Sequence, residues 1–163
     1  LYSLSEINSE KPIKEAKAYC DANGIEYVQA TGNTNDEIIS AVTSLISEDV
    51  DAIFTPTDNV VMANELAIAP DLAEKGIPHY TGADSFVRNG GFVTCGVNYT
   101  DLGTKTADLA YEAIVNGTQN MDDFYLTDGG IVTVNSETAD VLDLDPQVFA
   151  DFGKVITVTT TEE

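Results

Sequence analysis

The sequence predicts an α/β protein, a Rossmann-like parallel sheet with helices on both faces. Two observations carry this expectation. Short apolar runs of strand length alternate with amphipathic helical segments through the first 80 residues, and the connections between them are short. Strands joined through helices lie parallel, and a parallel sheet is covered on both sides.

The elements follow in order. Residues 9–23 read as a helix: Pro12 sits in the first turn, Ile13, Ala16 and Cys20 recur at helical spacing, and Gly24 suits the position just past the end. Residues 25–30 read as a strand. Asn33-Thr34-Asn35-Asp36 is a capping cluster, after which Ile38, Ile39, Val42, Leu45 and Ile46 mark one face of a second helix. Residues 51–55 form a short buried strand, followed by Pro56-Thr57-Asp58-Asn59 and a third helix to about residue 69. Gly76-Ile77-Pro78-His79-Tyr80 gives another strand.

After Tyr80 the rhythm changes. Residues 81–91 are polar and glycine-rich, a loop or crossover, and 92–97 form a strand. Leu102, Thr106, Leu109 and Ala113 place one face on a long helix that ends at Asn116-Gly117. Two β-prone stretches, 124–127 and 131–134, flank Asp128-Gly129-Gly130, a hairpin turn. Residues 136–142 and 146–152 read as short helices and 155–160 as a last strand.

Composition removes several classes of function. The chain has 163 residues, with 28 acids against 7 bases and a formal net charge of −21. Seven cations cannot build the basic stripe that phosphate neutralisation requires, so nucleic acid is excluded as a partner. The same charge argues against an anionic membrane surface. No apolar run approaches the roughly 20 residues of a membrane helix. Cys20 and Cys95 have no CxxC or CxxH neighbour, which argues against zinc, and they are expected to be buried free thiols. The opening Leu1-Tyr2-Ser3 has no initiator Met or leader before it, so the chain reads as the C-terminal part of a longer polypeptide.

Catalytic patterns are absent, and no catalytic residue, metal or cofactor is assigned. The single His79 lies in an apolar strand without a partner motif and reads as a core histidine. No GxSxG, Walker loop or GxGxxG occurs, and Asp122-Asp123 and Asp143/Asp145 are too sparse for a calcium loop. Ligands of parallel sheets bind beyond the carboxyl ends of the strands, and two strand-to-helix junctions there are unusually polar. One is Ser5-Glu6-Ile7-Asn8-Ser9, the other Thr55-Pro56-Thr57-Asp58-Asn59. A helix start can receive a carboxylate, and Asp58 can pair with an ammonium group. Ser9 and Asp58 also fit as plain N-caps.

These residues carry a resemblance. Tyr2-Ser3 with Glu6-x-Asn8-Ser9, then Asp51-Ala52-Ile53-Phe54 and Pro56-Thr57-Asp58-Asn59, resemble the ABC-transporter solute-binding proteins whose better-known members bind aromatic amino acids. The similarity continues through Gly96-Val97-Asn98-Tyr99-x-x-Leu102-Gly103 and Val134-Asn135-x-x-x-Ala139. The resemblance implies a type I periplasmic-binding fold, two α/β lobes closing over one small ligand. On that reading residues 1–91 are the second lobe, 92–118 a crossover strand and helix belonging with an absent first lobe, and 119–163 the return crossover and C-terminal elements. It implies ligand contacts at Ser5, Glu6, Asn8, Ser9, Thr57, Asp58, Asn59, Asn98 and Tyr99, with Asn98 standing where relatives commonly have Asp. It also implies an amino-acid-like ligand, an ABC permease as partner, the missing lobe or another copy against the 100–116 helix, and an extracellular or periplasmic, lipid-anchored setting. Two alternatives remain at this point. One is the sensing domain of a regulator on the same fold, and the other is an α/β enzyme or receiver-type phosphoacceptor using Asp58.

Overall fold

The computed structural model describes residues 1–124 and 130–160. Helix α1 spans Ile7–Asn23 and stops where Gly24 turns left-handed (φ 65°), its N–H closing on the Cys20 carbonyl. Helix α2, Asn35–Ser47, begins at the Thr34 cap and buries Ile38, Val42 and Leu45. Strand β1 (Ile53–Thr55) leads to a short helix α3 (Asn59–Met62), then α4 (Glu65–Glu74) and β2 (His79–Thr81). Helix α5 (Asp84–Arg88), β3 (Val93–Gly96) and the long α6 (Tyr99–Asn116) follow. The chain ends with β4 (Ile131–Asn135), α7 (Ser136–Leu142), a 3₁₀ helix over Pro146–Phe152, and β5 (Lys154–Val158). Helices flank one mostly parallel sheet.

The sheet runs in chain order, β1-β2-β3-β4-β5. β1–β2, β2–β3 and β4–β5 are parallel, and β3–β4 is antiparallel. The strand of the 92–118 segment is therefore the third strand of this chain's own sheet, since Val93 and Thr94 pair with both β2 and β4. Helix α6 after it buries none of its residues.

Several expectations change. Residues 25–30 form no strand, because pairing shrinks to one parallel bridge, Tyr2 to Thr31, and Ile25, Tyr27 and Val28 stay exposed. The third helix is two. Buried Asn64 turns its side-chain N–H onto the Val60 carbonyl (2.8 Å) and Asn35 Oδ1 (3.1 Å), and the helix restarts after it. It then continues past Pro70 to Glu74, because Ile68, Ala69, Leu72 and Ala73 keep one face buried. The polar 81–91 stretch contains α5, anchored by buried Phe86 and Val87 and by the Arg88–Asp84 ion pair at 2.7 Å. Residues 125–127 of the β-prone stretch and most of the Asp128-Gly129-Gly130 turn lie outside the described residues, and Phe124 before them is exposed.

Two apolar clusters hold the fold. Ile38, Val42, Leu45, Ile53, Val61, Ile68, Leu72 and Phe86 form the larger, and Phe92, Val93, Val132, Val134 and Ala139 the other. His79 is a core residue, with Nδ1 2.8 Å from Glu65 Oε1 and Nε2 2.8 Å from Thr55 Oγ1. Both thiols are free, but neither is buried: Cys20 is half-buried on α1, which buries only Ser9, and Cys95 is exposed on β3.

Candidate functional site

Parallel pairing sends β1, β2 and β3 toward the same edge, so the turns that leave them are neighbours. The first residues join this edge. The Leu1 nitrogen donates to the Phe54 carbonyl (2.8 Å), Tyr2 N donates to Ala30 O (3.3 Å), and Gly32 N donates to Tyr2 O (3.3 Å).

Asp58 is the centre of the arrangement. It caps α3 through Oδ1, which accepts from Val60 N (3.1 Å) and Val61 N (3.0 Å). Its Oδ2 accepts from Ser3 N and from the Ser9 hydroxyl, each at 2.7 Å. The side chain is 1% exposed, so both oxygens are spent inside the protein. Ser9 is not a cap. Helix α1 starts two residues earlier, with Glu6 at the cap position and no side-chain bond there, and Ser9 is fully buried against Asp58. A buried carboxylate is tolerable only with such partners, and these join the two polar junctions into one piece.

Around this clamp the other residues point outward. Asn59 Nδ2 donates to Glu6 Oε2 (3.1 Å), a second tie between the same two junctions. The Thr57 hydroxyl donates to Gly82 O (3.1 Å), which brings in the turn after β2. Gly82 fits there because it lacks a side chain: a Cβ would stand 2.5 Å from Thr57 N. Ser5, Asn8, Thr57 and Asn59 are exposed, and Glu6 is half-buried. A cleft of about 760 Å³ opens beside Ser5 and Glu6, lined also by Tyr2, Lys14, Lys17 and Tyr27.

Asn98 and Tyr99 stand at the same edge, after β3, but no hydrogen bond among the described residues joins them to the cluster. Asn98 caps α6, accepting from Thr100 N (3.0 Å) and Asp101 N (3.2 Å) and donating to Asp101 Oδ2 (2.7 Å). Tyr99 is 71% exposed.

Ser3 and Asn33 also belong to the cluster, though the sequence places neither among the ligand contacts. Asn33 Oδ1 accepts from the Ser3 hydroxyl (3.0 Å) and from Ser5 N (3.1 Å). The available signal was a surplus of capping residues: Thr34 alone caps α2, which leaves the Asn33 side chain for other work. Among the described residues no group of three His, Cys, Asp or Glu is placed to hold a metal ion. The arrangement offers a fixed row of hydroxyls, amides and one partly open carboxylate, suited to binding a small polar group.

Comparison with known proteins identifies the family. The family model described as ABC transporter substrate binding protein matches residues 1–147. A tyrosine-binding protein of Clostridioides difficile (strain R20291) is 27% identical over 146 residues, 88% of this chain and 41% of that protein. A ligand-free, open substrate binding protein with adhesive properties from Clostridium difficile superposes with a TM-score of 0.80 at 26% identity, over 98% of this chain and 52% of the other. A domain from Streptococcus pneumonia in complex with L-Trp superposes at 0.75 and 27% identity, over 95% and 53%. The chain thus spans about half the length of these relatives, between 41% and 53%. Because the family model accounts for all but the last residues, and the relatives in sequence and fold are substrate-binding proteins rather than enzymes, the chain belongs to the ABC transporter substrate-binding protein family.

Proposed function

We propose that the chain is one half of a two-lobed receptor that captures an aromatic amino acid for an ABC importer outside the cytoplasm. The observation that carries the reading is the carboxyl edge itself, where a buried Asp58 locks two polar junctions together and leaves Ser5, Glu6, Asn8, Thr57 and Asn59 facing out. The relatives' names supply the ligand class, tyrosine for one and L-Trp for another. Their greater length supports a second lobe; of the 92–118 segment, β3 stays in this lobe's sheet and only α6 is left to meet the other. Helix α6, with Tyr99, Tyr111, Ile114 and Val115 exposed, then turns its apolar surface to that lobe, and Asn98 and Tyr99 lie near the hinge. Asp58 and Ser9 act in this scheme by holding the binding residues in place. A permease partner and a lipid anchor complete the proposal.

Enclosure sets the affinity. Pockets of this kind cover about 70–90% of a ligand's surface, and one lobe supplies part of that. The test is a thermal-shift screen of the full-length protein against the amino acids. A ligand that binds only the folded state raises the melting temperature, and tyrosine or tryptophan is expected to give the largest rise. A flat response to both would refute the reading.

A further inference from the structure

Serine hydroxyls at a binding surface can donate or accept, and which of the two they do is decided by their neighbours. In the first junction the count of protons is fixed. The Ser3 hydroxyl has one proton to give. Two acceptors are in reach, Asn33 Oδ1 at 3.0 Å and Ser5 Oγ at 2.7 Å. Asn33 Oδ1 is an acceptor by necessity, because it also receives the Ser5 backbone N–H at 3.1 Å, and an amide NH₂ could not. With the Ser3 proton on Asn33, the short Ser3–Ser5 contact is made by the Ser5 proton pointing inward. Ser3 Oγ then accepts twice from residue 5, from its hydroxyl and from its N–H at 3.2 Å.

We infer that Asn33 is a positioning residue that sets the polarity of the Ser5 hydroxyl, leaving Ser5 Oγ with only lone pairs toward the binding surface. An oxygen in that state recognises a hydrogen-bond donor. The neighbouring Glu6, whose Oε2 already takes Asn59 Nδ2, adds negative charge of the same preference. The first junction therefore receives the ammonium end of an amino-acid ligand. Asp58 cannot serve that purpose, since its four acceptor directions are filled by Ser3, Ser9, Val60 and Val61. Without Asn33, the Ser3 proton turns to Ser5 Oγ and the Ser5 proton is freed outward, where it opposes an ammonium and welcomes an oxygen. This assignment rests on the amino-acid reading above.

The role uses only the acceptor oxygen of Asn33, so an aspartate should replace it and an alanine should not. The experiment compares wild type, Asn33→Asp and Asn33→Ala in the full-length protein. The ligands are L-tyrosine and 3-(4-hydroxyphenyl)propionate, which is tyrosine without its amine. Wild type and Asn33→Asp are expected to prefer tyrosine by similar factors, while Asn33→Ala narrows that preference by about tenfold, the scale of one hydrogen bond to a charged group. The Ser5 amide proton is expected to move upfield in Asn33→Ala and to keep its place in Asn33→Asp. An unchanged preference in Asn33→Ala would overturn the inference. So would a loss in Asn33→Asp equal to that in Asn33→Ala, since that pattern belongs to an Nδ2 that touches ligand directly. If wild type binds neither compound, the amino-acid reading fails by itself, and the Ser5 amide still decides whether Asn33 holds the junction: no movement in Asn33→Ala refutes it.

Discussion

Replacing Asp58 with asparagine separates a structural clamp from a ligand contact. Asparagine caps helices well, so Oδ1 can go on accepting from Val60 N and Val61 N. The second oxygen becomes an NH₂ and faces two donors, Ser3 N and the Ser9 hydroxyl, each at 2.7 Å in wild type. The Ser9 hydroxyl can rotate and accept. The Ser3 N–H cannot, and Ser3 is fully buried, so one donor is stranded. A buried unsatisfied donor costs about 1–3 kcal/mol, so Asp58→Asn should lose about 2 kcal/mol of stability. Asp58→Ala also loses the cap, worth about 0.5–2 kcal/mol, and should fall by about 3 kcal/mol in all. Urea denaturation of the chain measures both, with an unchanged slope and a lower midpoint as the sign of lost stability. Ser9→Ala in the Asp58→Asn background should cost less than Ser9→Ala alone, because the charge-assisted bond has already been exchanged for a weaker neutral one. If Asp58→Asn lies within about 0.5 kcal/mol of wild type, the size of an ordinary surface change, the clamp argument is wrong.

Three further outcomes follow from particular contacts. Gly82→Ala puts a Cβ 2.5 Å from Thr57 N and 2.7 Å from the Pro56 carbonyl carbon. Backbone must move, so a loss of about 1–3 kcal/mol is expected by urea denaturation, together with shifted Thr57 and Asp58 amides. His79→Leu leaves Glu65 buried without its imidazole partner, and since Glu65 Oε2 already has no partner among the described residues, the expected loss is about 3–5 kcal/mol by thermal melting. The double variant Glu65→Leu/His79→Leu should recover much of that. The Thr160 N–H donates to Glu137 Oε2 at 3.0 Å and holds its carboxyl below the ordinary 4.5. A lowered acid contributes stability that is complete above its ordinary value and is lost as pH falls through the lowered one. The Thr160 amide should therefore hold its shift at neutral pH and move only below about pH 4.5, and Glu137→Gln should abolish the movement.

The parts of the fold set by local chemistry were legible in the sequence. The end of α1 at Gly24, the caps around Thr34 and Asp58, and the parallel alternation through β2 all follow from residue types at fixed spacing. What tertiary packing decides was not. Asn64 breaks a helix because its amide reaches Asn35 twenty-nine positions away, and Phe86 makes a helix of a polar stretch by burying itself. The apolar 25–30 segment has strand composition, yet only Thr31 finds a partner across from Tyr2. At the proposed site, the polarity of the two junctions was legible, and the structure brings both to one edge of the sheet. The division of labour within it was hidden: Ser9 and Asp58 look like open ligand groups in sequence and are buried against each other, whereas Asn33 looks like a cap and holds Ser3 and Ser5.

The central claim is that this edge binds an amino acid only when a second lobe covers it. Titration of L-tyrosine and L-tryptophan, followed by amide chemical shifts, into the 163-residue chain and into the full-length protein tests it directly. Association costs about 4–15 kcal/mol of lost rigid-body freedom whether one lobe or two make the contacts, so halving the contacts should take a micromolar affinity to millimolar or weaker. The account predicts saturable shifts at Ser5, Glu6 and Asn59 in the full-length protein at micromolar ligand, and none in the 163-residue chain. Saturation of the shorter chain at micromolar ligand, or no response in the full-length protein, would contradict it.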